Sequence, residues 1–222
     1  MGVIMLEGVI FDMDGLMFDT EPIWGNAWAP IIEDMGSTCP TELADAVRGT
    51  SGKSMEAIIH RFVPNVDATA VRERAYEMVH EQVLKGVPKK RGLDELLDCL
   101  AEMDVPLAVA SSSALEVIEM NLQNGGIRER FGHLFTGVGM ANPKPAPDLF
   151  LATAKAMGTD PANTLVLEDS LSGVRAGVAG GFLTVMVPDM VAPDDYAREH
   201  ATMICSDLLE VRDAIAAGRL GH

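Results

Sequence analysis

Residues Phe11 to Glu21 read Phe-Asp-Met-Asp-Gly-Leu-Met-Phe-Asp-Thr-Glu, and Asp12 and Asp14 leave the end of a short apolar run, Gly8-Val9-Ile10-Phe11. The run has the β-branched and aromatic character of a buried strand. Alternate residues of an extended chain point to one side, so both carboxylates face one pocket. Gly15 lets the chain turn sharply and lets a ligand approach backbone N–H groups with no side chain in the way. Two carboxylates held close resist ionising together unless a proton or cation lies between them. Such a pair suits a divalent metal, with one oxygen free to attack and another able to carry a proton. The same residues also read as an Asp-Gly turn followed by a helix cap, with no chemistry attached.

Three later segments also place polar groups at a strand end. Leu107-Ala108-Val109-Ala110 runs into Ser111-Ser112-Ser113, where hydroxyls and free amides at a helix N-terminus suit a phosphate. Capping of a helix from Ala114 explains one serine but not three. In Asn142-Pro143-Lys144-Pro145-Ala146-Pro147-Asp148, prolines on both sides of Lys144 restrict the backbone and present the ammonium at a fixed place; a solvated surface lysine is the plainer alternative. Thr164-Leu165-Val166-Leu167 delivers Glu168-Asp169-Ser170 ahead of a stretch dotted with Gly173 and Gly177. Acids there also favour a helix dipole.

Together the four segments resemble the haloacid dehalogenase superfamily, in its phosphatase and phosphomutase branch (beta-phosphoglucomutase-like). The D-x-D-G-x-x-x-D-T-E run, the serine strand end, K-P-x-P-D and E-D-S-x-x-G occur in order over essentially the whole chain. The resemblance implies that Asp12 is a nucleophile that becomes an aspartyl phosphate and that Asp14 is the general acid/base. It implies that Ser111 and Lys144 hold the transferring phosphoryl group. It further implies Mg²⁺ bound by Asp12, the Asp14 carbonyl and Asp169, with Glu168 in or near the same shell. Gly15, Thr20, Ser112 and Lys53 are the expected substrate- or cap-facing residues. The chemistry asks for these types independently. A phosphoryl group in flight spreads negative charge over its equatorial oxygens, so catalysis is mostly positioning and neutralisation. An acid at Asp14 counts against the dehalogenase and ion-pumping branches, where the resemblance implies that the matching position is not an acid.

The elements that must position these residues alternate from Lys89 onward. Leu93, Leu96, Leu97 and Leu100 make a helix face. A strand at 107–110, a helix near 114–123, a short strand at 134–136, a helix near 148–157 and a strand at 164–167 follow. A helix ending at Gly180-Gly181, a strand at 182–187 and an apolar 201–205 complete the pattern. This predicts an α/β fold, a doubly wound parallel, Rossmann-like sheet with its site at the strands' C-terminal ends. Between Glu21 and Pro88 no strand is legible. Met55, Ile58, Ile59 and Phe62 recur at helical spacing, as do Val71, Ala75, Met78, Val79 and Val83. The expected domains are a catalytic core, 1–18 and 89–222, and an all-helical cap, 19–88.

A cap closing over the site would exclude water and read the leaving group. Its expected contacts are the first helix after Glu21 and the loop Arg48-Gly49-Thr50-Ser51-Gly52-Lys53-Ser54, which also reads as a solvated helix connection. Trp24 and Trp28, one helical turn apart, read as cap packing or as a substrate platform. Trp24 and Gly52 stand where the beta-phosphoglucomutase pattern implies a histidine and an arginine. A mutase must grip a second phosphate, for which Lys53 is the available substitute. The expected activity is therefore Mg²⁺-dependent hydrolysis of small phosphorylated metabolites such as sugar phosphates. A phosphosugar mutase is the alternative, and a non-catalytic phosphoacceptor of the receiver type a remote one, since receivers lack a helical insert after strand one.

The composition agrees. The chain has 222 residues, 48% apolar and 23% charged, which is globular. The three cysteines, Cys39, Cys99 and Cys205, are scattered and read as buried thiols. A net charge of −16 argues against nucleic acid. No membrane-length apolar run and no basic leader with a small-residue cleavage site is visible, so the expectation is a cytoplasmic protein without membrane partners, a monomer or weak homodimer.

Overall fold

The computed structural model describes residues 5–47, 50 and 52–220. In chain order the elements are β1 (Gly8–Phe11), α1 (Glu21–Asp34), α2 (Leu43–Val47), α3 (Gly52–Phe62), α4 (Ala68–Val83), α5 (Leu93–Glu102), β2 (Leu107–Ser111) and α6 (Leu115–Asn124). Then come β3 (His133–Thr136), α7 (Asp148–Met157), β4 (Thr164–Glu168), α8 (Leu171–Ala179), β5 (Leu183–Met186), α9 (Asp195–His200), β6 (Met203–Ile204) and α10 (Leu208–Ala216).

The six strands form one sheet in the order β3-β2-β1-β4-β5-β6, with every pairing parallel. The chain builds outward from β1 through β2 to β3, then returns to the other flank of β1 with β4. At that reversal, connections leave neighbouring strands in opposite directions and open a crevice at their C-terminal ends. The register decides what reaches it. Phe11 pairs with Val109 on one side and Leu167 on the other, so Asp12, the serines after Ala110, and Glu168 all emerge at one edge.

β1 can be a continuous apolar run because both of its faces are covered. Val9, Ile10 and Phe11 are fully buried. On one face, Leu149, Phe150 and Ala154 of α7 pack with Ile10, Ala108, Ala110 and Val166. Each large apolar side chain buried this way contributes about 1.5–3 kcal/mol of transfer free energy, offset by the entropy of ordering it.

Contacts divide the chain into two compact units, Thr20–Val87 and the remainder. Among the described residues the Thr20–Val87 unit is built from α1 to α4. Val71, Ala75, Val79 and Val83 form the buried stripe of α4, and Ala27, Trp28, Ile31 and Ile32 that of α1, and these two helices pack together. Trp24 stacks on Trp28 with ring centroids 6.0 Å apart, and Tyr76 of α4 meets Trp24 edge-on at 5.2 Å. The tryptophans thus serve the packing of α1 against α4. Among the described residues no helix is long and apolar enough to cross a membrane.

Candidate active site

Lys144 holds the centre of the crevice. Its Nζ lies 2.6 Å from Asp12 Oδ1 and 2.6 Å from Glu168 Oε1, and donates to the Ala110 carbonyl at 3.3 Å. The aliphatic stem is no solvated surface chain: the side chain is only 5% exposed, and the ammonium sits 4.6 Å from the Phe150 ring centroid. The Lys144–Pro145 peptide is cis. Asp12 is fixed from below, where its amide donates to Leu167 O at 3.0 Å.

Asp14 points to the serines. Its Oδ2 accepts the Ser113 hydroxyl at 2.7 Å and the Ser111 hydroxyl at 3.3 Å, while the Ser113 amide donates to Ser111 Oγ at 3.0 Å. None of the serines is spent on a helix cap, because α6 has Ala114 at its N-cap without a side-chain bond. Ser112 is exposed. Ser111 and Ser113, two residues apart, share one side, which is the alternation that could have singled out Ser113 from the sequence. Gly15 has φ +81°, and its amide donates to Phe18 O at 3.0 Å. A Cβ there would run into the Asp169 carboxylate, so glycine serves both the turn and the acid's position.

Glu168 is fully buried and committed at both oxygens. Oε1 takes Lys144, and Oε2 accepts the Ser170 amide at 3.0 Å and the Ser170 hydroxyl at 2.9 Å. Ser170 also caps α8 by accepting the Gly173 amide at 3.0 Å. One lysine therefore faces three acids, since ligand oxygens of Asp12, Glu168 and Asp169 all lie within 4.8 Å of one another. Burial, which Lys144 counteracts only in part, and the neighbouring Glu168 and Asp14 charges push Asp12 up to about 7. Burial and the charges of Glu168 and Asp12 likewise hold Asp169 well above the usual carboxylate range. Burial acts to lower Lys144, but Asp12 and Glu168 outweigh it and hold the ammonium charged.

The two remaining expected residues belong to the other unit. Thr20 is 2% exposed and its Oγ1 has no hydrogen-bond partner among the described residues. Lys53 is exposed in the first turn of α3. Arg48, Gly49 and Ser51 of the candidate loop lie outside the described residues.

Gly173 is a contributor that the sequence reading left without a role. It lies in the first turn of α8, and a Cβ on it would overlap the Glu168 carboxylate. Gly173→Ala is expected to cost at least about 3 kcal/mol, combining overpacking with a displaced buried ion pair. Gly25→Ala, inside α1 with nothing within 4 Å of the new methyl, is expected to gain about 0.5–1 kcal/mol. Urea denaturation of both variants checks the contrast; equal effects would mean that Glu168 moves freely.

A family model described as haloacid dehalogenase-like hydrolase matches residues 9–187. The chain is 32% identical over 212 residues to a Drosophila melanogaster protein named "Probable pseudouridine-5'-phosphatase", covering 91% of this chain and 90% of that one. It is 30% identical over 181 residues to fructose-1-phosphate phosphatase YqaB of Escherichia coli (strain K12), covering 81% of this chain and 95% of that one. Among solved structures, beta-phosphoglucomutase from Clostridium difficile superposes with a TM-score of 0.78 at 21% identity, covering 97% of this chain and 97% of that one.

Proposed function

The chain belongs to the haloacid dehalogenase-like hydrolase family, and on that premise we propose that it hydrolyses small phosphorylated metabolites, sugar phosphates foremost, through an aspartyl phosphate on Asp12. The observation that carries this reading is the buried Asp12 carboxylate held by Lys144 beside Asp14 and its two serine hydroxyls. An oxygen of Asp12 attacks phosphorus and the bond to the leaving oxygen breaks. Asp14, kept in place by Ser111 and Ser113, gives that oxygen a proton and then takes one from the water that hydrolyses the aspartyl phosphate. Lys144 stays protonated and offsets the charge on the transferring group.

The acids fit a hard divalent cation. Asp12 and Asp169 belong to a cluster of oxygen donors within 4.8 Å of one another, and both are held above their usual range by burial and by neighbouring carboxylates, whose repulsion a cation relieves. Glu168, already satisfied by Lys144 and Ser170, serves this cluster from behind as the anchor of Lys144. When bound, Mg²⁺ supplies neutralisation of the phosphoryl oxygens. We assign the Thr20–Val87 unit the part of a cap that selects the leaving group, with Lys53 and Thr20 as its candidate contacts. A cytoplasmic location and a monomer or weak homodimer suit such a substrate.

Hydrolysis is favoured over isomerisation. The relatives at 30% identity and above carry phosphatase names, whereas the likeness to the mutase, at 21%, speaks for the fold alone. Trp24 and Gly52 supply neither an imidazole nor a guanidinium to grip a distal phosphate. Incubation with beta-glucose 1-phosphate, Mg²⁺ and a trace of the 1,6-bisphosphate should give free phosphate and little glucose 6-phosphate. Rapid glucose 6-phosphate formation with negligible phosphate release would replace the phosphatase with a mutase. A release assay over a panel of sugar and nucleoside phosphates, with and without Mg²⁺, then ranks the leaving groups.

A further inference from the structure

Asp189 holds an oxygen that none of the roles above uses. It follows β5 in Val187-Pro188-Asp189, and its Oδ1 lies 2.7 Å from Lys90 Nζ, which also reaches Asp19 Oδ1 at 3.2 Å. Burial acts to lower Lys90, but hydrogen bonds and charge from Asp189 and Asp19 outweigh it and keep the ammonium charged. Oδ1 is therefore occupied by the ammonium. Oδ2 is buried and has no hydrogen-bond partner among the described residues. An unpaired buried acceptor is costly, and more so when charged, so folded proteins seldom leave one without a water or ion.

The position of Oδ2 says what it waits for. It lies 3.4 Å from the point where a Cβ on Gly15 would stand, and Asp169 Oδ2 crowds the same point. Two carboxylate oxygens meeting over one glycine repel unless a donor or cation lies between them. Lys90 Nζ donates to Oδ1 and to Asp19 but makes no hydrogen bond to Oδ2. A cavity of about 230 Å³ opens here, lined among others by Gly15, Lys90, Asp189 and Ser206. It has room for several waters at about 30 Å³ each. Mg²⁺ sheds its waters reluctantly and keeps several of them when bound to carboxylates.

We propose that Asp189 is a positioning residue for the metal: its free Oδ2 accepts a hydrogen bond from a water on the cation held by Asp12 and Asp169, with Lys90 and Asp19 fixing its aim. This inference rests on the reading of Asp12 and Asp169 as a cation site. Outer partners of this kind typically govern 10–100-fold in metal affinity. In Asp189→Asn, Lys90 claims the amide oxygen, so the NH₂ group points where an acceptor is needed.

Calorimetric titration of the full chain with Mg²⁺ tests this. Asp189→Asn and Asp189→Ala should each raise the Kd at least about 10-fold. Lys90→Met, which leaves the carboxylate but frees it, should raise it several-fold, and Ser206→Ala should leave it within twofold. The Mg²⁺-induced rise in thermal midpoint should shrink in parallel. A merely structural ion pair would instead lower the midpoint equally with and without Mg²⁺ and leave the Kd within twofold of the parent, which overturns the proposal even if only Lys90→Met folds well enough to titrate. A parent protein that binds no Mg²⁺ overturns the cation-site reading, and this inference with it.

Discussion

Asp12→Asn should lower phosphate release by at least about 10⁴-fold on the best substrate, because a carboxamide cannot attack phosphorus as the proposed nucleophile does. The fold survives. Asn matches Asp in shape, and Lys144 keeps Glu168 at 2.6 Å. The substitution also removes one acid from a site where one lysine faces three. The pH dependence of stability supplies a check separate from turnover. Asp12 is raised to about 7 in the folded chain from an ordinary value near 3.8. A carboxylate raised on folding contributes stability that is present below its unfolded value and lost as pH rises through the folded one. In chelator, the parent should therefore weaken between about pH 4 and 7, and Asp12→Asn should weaken less over that window. Near-normal turnover in the variant would remove Asp12 as the nucleophile. A window unchanged by the substitution would mean that Asp12 is ionised without strain.

Much of this site was legible because alternation and strand ends are local signals. The β-branched run before Asp12 and the Leu165–Leu167 run are buried on both faces of a parallel sheet, and such strands announce themselves as unbroken apolar stretches. Lys144 was legible as a rigid cation through its flanking prolines, but not as a buried one. Its burial depends on Phe150 and Glu168, which reach it from α7 and β4. Sequence also left the division of labour between Glu168 and Asp169 open. Adjacent acids look alike until the first turn of α8 shows that Ser170 and the missing side chain of Gly173 hold Glu168 inward. Lys90 and Asp189 stand 99 residues apart, and nothing local in either segment marks them as partners. The strand at 182–187 was overdrawn at both ends, since pairing supports only Leu183–Met186.

Lys144→Met should lower turnover by about 10³-fold, the scale on which a single cation aimed at a transferring phosphoryl group acts. Its stability effect should run opposite to that of Asp12→Asn. The methionine can occupy the apolar path of the stem against Phe150, so little packing is lost. What is lost is the only cation within hydrogen-bonding reach of Asp12 and Glu168 among the described residues. Removing one partner of a buried pair costs about 3–5 kcal/mol, because the remaining charge is left uncompensated. Here Asp12 can escape part of that cost by binding a proton. Without the ammonium, which opposes the rise of Asp12 in the parent, the folded-state value of Asp12 climbs further. The sign then follows directly: the variant is close to the parent below about pH 4, and the gap widens as pH rises through neutrality and Asp12 is forced to ionise. Urea denaturation at pH 5 and pH 8, in chelator, should show the smaller deficit at pH 5. Added Mg²⁺ should recover part of the pH 8 deficit by binding the same oxygens. A deficit that is equal at both pH values would locate the role of Lys144 in packing alone. A variant that also kept its turnover would leave the phosphoryl group without its proposed cation.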